Sequence, residues 1–205
     1  VQTFNPDAGT LSLKTVSEEI RNSFDTRKNP HWVSDIKKLQ DHGKYILDGI
    51  RSDIGGVSIE RRDLFKRLID ISERTEFVFI SGERGCGKSS LVRAFAKYME
   101  VKAPIFCLRT EDLDKPHLDN VLSAIGLTSS LRDIEAGFAL MPKRYLLIES
   151  LEKLLELQNT AAFKDLLQFV KNHPGWTIVA SGREYAYQEI SFTISNRTEF
   201  PIPSS

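Results

Sequence analysis

The sequence predicts an α/β fold with a central parallel sheet flanked by helices. Apolar runs at Glu76–Ser81, Pro104–Leu108, Arg144–Glu149 and Trp176–Ser181 alternate with amphipathic stretches. The runs lack polar alternation, which is the pattern of strands buried on both faces and therefore of a parallel sheet covered by helices. The first run passes directly into a glycine-rich loop, and Leu91, Ala94, Phe95, Tyr98 and Met99 then recur at the spacing of one helix face. In such sheets functional groups gather at the carboxyl ends of the strands.

Taken in order, residues 1–14 read as a polar arm. Thr15-Val16-Ser17-Glu18 is a capping box for a short helix striped by Val16, Ile20 and Phe24, broken at Thr26–Pro30. A second helix is expected over about residues 31–50, with Trp32, Ile36, Leu39, Ile46, Leu47 and Ile50 as contacts; Gly43 weakens it. Residues 1–50 are thus expected to be an N-terminal arm with a helical extension or linker, or a packing helix, and 51–205 the core unit. Gly55-Gly56 marks a turn before Val57-Ser58-Ile59, and Leu64, Phe65, Leu68 and Ile69 stripe a helix from Arg61 to Ser72. Beyond the second strand, Pro116 opens a helix through Leu118, Val121, Leu122 and Ile125, stopped by Gly126. Ser129 and Ser130 open another through Leu131, Ile134 and Phe138. Phe163, Leu166, Leu167 and Val170 stripe a helix that ends at His173-Pro174-Gly175.

Composition narrows the classes. A chain of 205 residues is long enough for one good core. Acidic and basic residues balance at 28 each, so no global field favours nucleic acid or acidic membrane. Cys86 and Cys107 make no disulfide framework and fit a reducing, cytoplasmic compartment. No apolar run approaches the roughly 18–20 residues of a membrane span, and the four histidines show no metal-ligand spacing. The chain begins at Val1, which suggests a fragment.

The loop carries the chemistry. Gly82, Gly85, Gly87, Lys88 and Ser89 fill the G-x-x-x-x-G-K-[ST] pattern of a phosphate loop. Glycine lets the backbone of Gly82-Glu83-Arg84-Gly85-Cys86-Gly87 close around a ligand, and successive N–H groups form an anion nest. The helix opening through Lys88, Ser89 and Ser90 adds its N-terminal amides and dipole. Lys88 is placed to reach the terminal phosphates of a nucleotide such as ATP, and the Ser89 hydroxyl to complete a Mg²⁺ shell. The bland alternative is a glycine turn with an incidental lysine. Cys86 lies within the nest, where alkylation is expected to block nucleotide binding, although a space-filling role is the plainer reading. After the third strand, Glu149 is placed as the acid that holds Mg²⁺ and Glu152 as a general base or water-orienting group. After the fourth, Arg183 is placed to sense a γ-phosphate. Upstream, Ile59 offers an apolar face to a base and Arg61 a cation to phosphate or ribose. Surface or capping roles are the competing readings for these charged residues.

On Ile59-x-Arg61-x-x-Leu64, Gly82–Ser89, Glu149-Ser150-Leu151-Glu152 and Ser181-Gly182-Arg183, the chain resembles the P-loop ATPases of the AAA+ and STAND kind, over about residues 50–185. Glu149 stands where the resembling families carry Asp, and Lys153 where a second acid is common. The resemblance implies a P-loop NTPase core with sheet order 5-1-4-3-2 and a following lid, so that the chain, ending at Pro201–Ser205, is expected to stop before the fifth strand. It implies Mg²⁺-dependent ATP binding and hydrolysis in a conformational switch for signalling or defence, with self-association or protein partners engaged through further domains. Two other readings stay open: an ATPase helper for a nucleic-acid transaction such as transposition or replication, and a non-hydrolysing nucleotide-binding scaffold.

Overall fold

The computed structural model describes residues 32–50, 61–138, 141–192, 194 and 196–203. The expected helix around Val16–Phe24, the Gly55-Gly56 turn and Ile59 lie outside the described residues, as does the side chain of Trp32. Five strands form one sheet: β1 (Phe77–Ser81), β2 (Ile105–Arg109), β3 (Arg144–Glu149), β4 (Trp176–Gly182) and β5 (Arg197–Pro201), in the order β2-β3-β4-β1-β5. All neighbours pair in parallel. This is the implied order read from the opposite edge.

The fifth strand corrects the expectation that the chain stops before it. Phe77 to Ser81 pair in register with Arg197 to Pro201. The segment does not read as a strand because Phe200 is its only fully buried side chain. It lies on the sheet edge, where half of its backbone groups face outward and a terminal proline removes no ladder bond that the sheet requires.

Seven α-helices accompany the sheet in the described residues: α1 (Trp32–Asp48), α2 (Arg62–Arg74), α3 (Lys88–Met99), α4 (Leu118–Ala124), α5 (Leu131–Gly137), α6 (Ala161–Asn172) and α7 (Glu184–Ser191). Successive strand residues point to opposite faces, and two cores result. Phe77, Phe79, Phe106, Leu108, Leu146, Ile148, Ile178 and Ala180 pack with side chains of α4, α5, α6 and α7. Val78, Ile80, Cys107, Leu147 and Val179 pack on the other face with Leu68 of α2 and with Leu91, Val92, Phe95, Ala96 and Met99 of α3.

Helix α1 is built into this core. It gives Ile36 and Leu39 to the first cluster and Ile46 to the second, so it wraps the open edge at β2. Covering an edge strand removes a template for unwanted pairing. Gly43 explains the close approach: a Cβ there would lie 2.8 Å from the backbone nitrogen of Cys107. The N-terminal half of α1 is tied down by Asp35, which is fully buried. Its carboxylate accepts the N–H groups of Thr128 (2.9 Å) and Ser129 (2.7 Å), the Thr128 hydroxyl (3.0 Å) and the Lys38 ammonium (2.8 Å). Burial alone would raise the Asp35 pKa, but the bonds from Lys38, Ser129 and Thr128 outweigh it and hold the carboxyl well below the usual carboxylate range.

Two stability predictions follow from this packing. In an exposed helix Gly→Ala stabilises by about 1 kcal/mol; Gly43→Ala instead lowers stability, by about 1–3 kcal/mol as overpacking does, and an increased urea midpoint would contradict the contact with Cys107. Asp35→Ala removes the acceptor of the buried Ser129 N–H and of the part-buried Thr128 N–H and costs about 1–3 kcal/mol at neutral pH. Because the folded-state pKa lies below the unfolded value of about 3.9, the ionised contribution is complete above that value and is lost as pH falls through the folded-state pKa. The deficit of the variant, measured by urea unfolding, therefore shrinks below about pH 4; a deficit unchanged from pH 7 to pH 3 would contradict this.

Candidate functional site

The glycine loop runs from the end of β1 to the start of α3. Gly85 and Gly87 have φ of 83° and 88°, the left-handed region that favours glycine. A Cβ on Gly85 would meet nothing within 4 Å, so the loop borders open space at that point. Gly87 precedes the first helical residue, and the first helical bond recorded here is Leu91 N–H to Gly87 C=O at 3.0 Å. The amides of a first helical turn have no partner within the helix. Glu83 and Arg84 are exposed at the loop tip, whereas Lys88, Ser89 and Ser90 are half-buried. The Lys88 ammonium donates to the carbonyls of Gly82 (2.8 Å) and Glu83 (2.7 Å), folded back on its own loop. Cys86 Sγ lies 3.9 Å from Lys88 Nζ and 2.7 Å from where a Cβ on Gly82 would stand; it fills the space beneath the loop.

Glu149 ends β3, nearly buried at 8% exposure. Its Oε2 accepts the Ser89 hydroxyl at 2.8 Å and its Oε1 the Ser181 hydroxyl at 3.1 Å. The Thr110 hydroxyl donates to the Glu149 backbone carbonyl at 2.9 Å. Burial pushes the Glu149 carboxyl above its ordinary pKa, with Glu152 adding to the rise; bonds from Ser89 and Ser181 and the charge of Lys88 oppose it. The chain then turns through Ser150, which adopts a left-handed conformation (φ 58°) and leads into a 3-10 helix over Leu151–Glu156.

That turn brings Glu152 to the fourth strand's end. Glu152 Oε1 lies 3.8 Å from Arg183 Nε, and Oε2 is buried with no hydrogen-bond partner among the described residues. Gly182 makes room: a Cβ there would lie 2.5 Å from the Phe79 ring and 3.3 Å from Glu152 Oε2. Arg183 occupies the N-cap position of α7, its side chain about half exposed. Lys153 turns away and pairs with Glu111 beyond β2. Arg61, just before α2, carries its guanidinium carbon 4.0 Å from the position of a Cβ on Gly87.

The structure thus brings Lys88, Ser89, Glu149, Glu152, Arg183 and Arg61 to one end of the sheet, around the loop. Ile59 lies outside the described residues. Ser181 is named in the sequence only within the Ser181-Gly182-Arg183 stretch, with no role of its own; the structure sets it against Glu149. Only the pairing of β3 with β4, with Ile148 opposite Ala180, places the following residues of the two strands side by side. A groove of about 770 Å³ between α1, α3 and β2 is lined by none of these residues.

No family model matches the chain, and no curated protein matches it. Solved structures do. A Walker-type ATPase of Pyrococcus abyssi aligns over 76% of this chain and 57% of its own at 16% identity and TM-score 0.50. A structure on katanin self-assembly aligns over 86% of this chain and 61% of its own, at 13% identity and TM-score 0.49. A structure of Drosophila ORC bound to GC-rich DNA and Cdc6 aligns over 100% of this chain and 36% of its own, at 11% identity and TM-score 0.49. The chain therefore spans less than two thirds of the length of each of these. With its parallel sheet, its β1–loop–α3 unit and the likeness to the Pyrococcus abyssi ATPase, the chain has a P-loop NTPase-like α/β fold.

Proposed function

We propose that this chain binds ATP with Mg²⁺ and hydrolyses it, and that the bound nucleotide acts as a conformational switch. The observation that carries the reading is Lys88: its ammonium rests on two carbonyls of a left-handed glycine loop that opens onto free space, at the start of a helix. A polyphosphate offers that ammonium stronger, charged acceptors. The residues fit the ligand in three respects. The loop borders open space at Gly85, Ser89 and Glu149 present oxygens 2.8 Å apart, and Glu152 has a buried oxygen without a partner among the described residues.

In this reading the loop amides and Lys88 hold the phosphates, Arg61 flanks them, and Ser89 with Glu149 hold Mg²⁺. When bound, Mg²⁺ neutralises charge on the β- and γ-phosphates. Glu152 orients a water and takes its proton as the water oxygen bonds the γ-phosphorus and the bond to the bridging oxygen breaks, releasing ADP and phosphate. Arg183 now pairs with Glu152; a γ-phosphate competes for that guanidinium and frees the base, which couples nucleotide state to the β4–α7 junction. The longer Glu149 is no obstacle, since its carboxylate reaches Ser89.

A STAND-type role in signalling or defence rests on sequence resemblance alone. Salt-dependent binding of duplex DNA by the protein would favour the nucleic-acid helper.

Isothermal titration with ATP, ADP and GTP, with and without Mg²⁺, tests the reading; absence of triphosphate binding by the wild type overturns it. Lys88→Ala is expected to lose at least tenfold in ATP affinity with an unchanged circular dichroism spectrum, because the ammonium bonds only the loop; loss of fold would refute the assignment. Glu149→Gln keeps ATP affinity within a few fold while Mg²⁺-dependent turnover falls by about 10²-fold or more. Wild-type turnover in that variant would move the metal-holding role elsewhere.

A further inference from the structure

Ser181 is buried at the end of β4, 2% exposed, and its hydroxyl ties β4 to the end of β3. It accepts the Ser150 N–H at 3.4 Å and donates to Glu149 Oε1 at 3.1 Å. The acceptance fixes the direction of the donation: with one side of the oxygen turned to Ser150, the O–H is aimed at the carboxylate. Glu149 is then held at both oxygens, Oε1 by a strand of the sheet and Oε2 by Ser89 at the start of α3. The Thr110 bond to the Glu149 carbonyl holds the backbone beneath it.

We infer that Ser181 is a positioning residue for Glu149: by holding Oε1 it leaves Oε2 as the oxygen presented, with the Ser89 hydroxyl, to the metal of a metal–nucleotide complex. The inference rests on the reading of this site as a Mg²⁺-nucleotide site. It also accounts for the choice of acid. An aspartate carboxylate would sit one C–C bond, about 1.5 Å, closer to the β3 backbone and could not bridge Ser89 and Ser181 together. The glutamate and Ser181 therefore work as a matched pair, and a return to the shorter acid is a loss in this chain. Groups that orient a metal ligand from behind are commonly worth about 10–100-fold in metal affinity.

The test uses Mn²⁺ as the probe, titrated by electron paramagnetic resonance into protein with a non-hydrolysable ATP analogue, beside calorimetry of the analogue in EDTA. Ser181→Ala is expected to lose about tenfold in Mn²⁺ affinity with analogue affinity in EDTA unchanged, and to lower kcat more than it raises KM; Ser181→Thr, which keeps the hydroxyl, restores both. Glu149→Asp loses Mn²⁺ affinity to a similar degree with Ser181 in place, and adding Ser181→Ala to it costs nothing more. Wild-type Mn²⁺ affinity in Ser181→Ala overturns the inference, as does full additivity of the two substitutions. If Ser181→Ala does not fold, undiminished Mn²⁺ affinity in Glu149→Asp overturns it alone. A wild type that binds analogue and Mn²⁺ while Ser181→Ala is indifferent sinks only this inference; a wild type that binds neither sinks the nucleotide reading first.

Discussion

A hydrogen bond of 2.8 Å between Ser89 and Glu149 joins the start of α3 to the end of β3, and the candidate site depends on it. It exists because the sheet places β3 two strands from β1, with β4 between them. All the strands run in parallel, so their carboxyl ends emerge on one side and the polar residues that follow them converge. A strand reversed or shifted by one residue would turn these side chains to the other face. The continuous apolar interiors of β1, β3 and β4 thus fix the positions of three polar ends.

The same junction is costly for the fold. A glutamate is buried and pushed toward protonation, a second has an oxygen without a partner among the described residues, and a lysine is folded onto carbonyls of its own loop. Buried polar groups left short of partners destabilise a fold, and such groups gathered in one place are a common mark of a functional site. The outer parts of the molecule show the opposite economy. Asp35 is buried too, yet it accepts several hydrogen bonds and holds α1 against the loop at Thr128–Ser129. The contrast separates a carboxylate that serves packing from those that the proposed site would use.

Much of this was legible in the sequence because it is local. The loop pattern lies within eight consecutive residues, Gly82–Ser89, and the four inner runs are apolar enough to read as buried strands. What was not legible depends on contacts between distant segments. Gly43 reads as a weak point of the expected helix, and only the nearness of the Cys107 backbone shows why a glycine stands there. The fifth strand reads as a polar tail because an edge strand buries one side chain, Phe200. Helix α7 escaped notice since only Ala186 and Ile190 of its residues are buried. The grip of Ser181 on Glu149 needs the β3–β4 pairing before it can be seen.

The most direct test of the central claim is a structure with a non-hydrolysable ATP analogue and Mg²⁺. The account predicts that Lys88 Nζ leaves the carbonyls of Gly82 and Glu83 for the terminal phosphates, and that Ser89 and Glu149 converge on the metal. An analogue bound elsewhere, such as in the groove between α1, α3 and β2, with Lys88 still on its own loop, would contradict it.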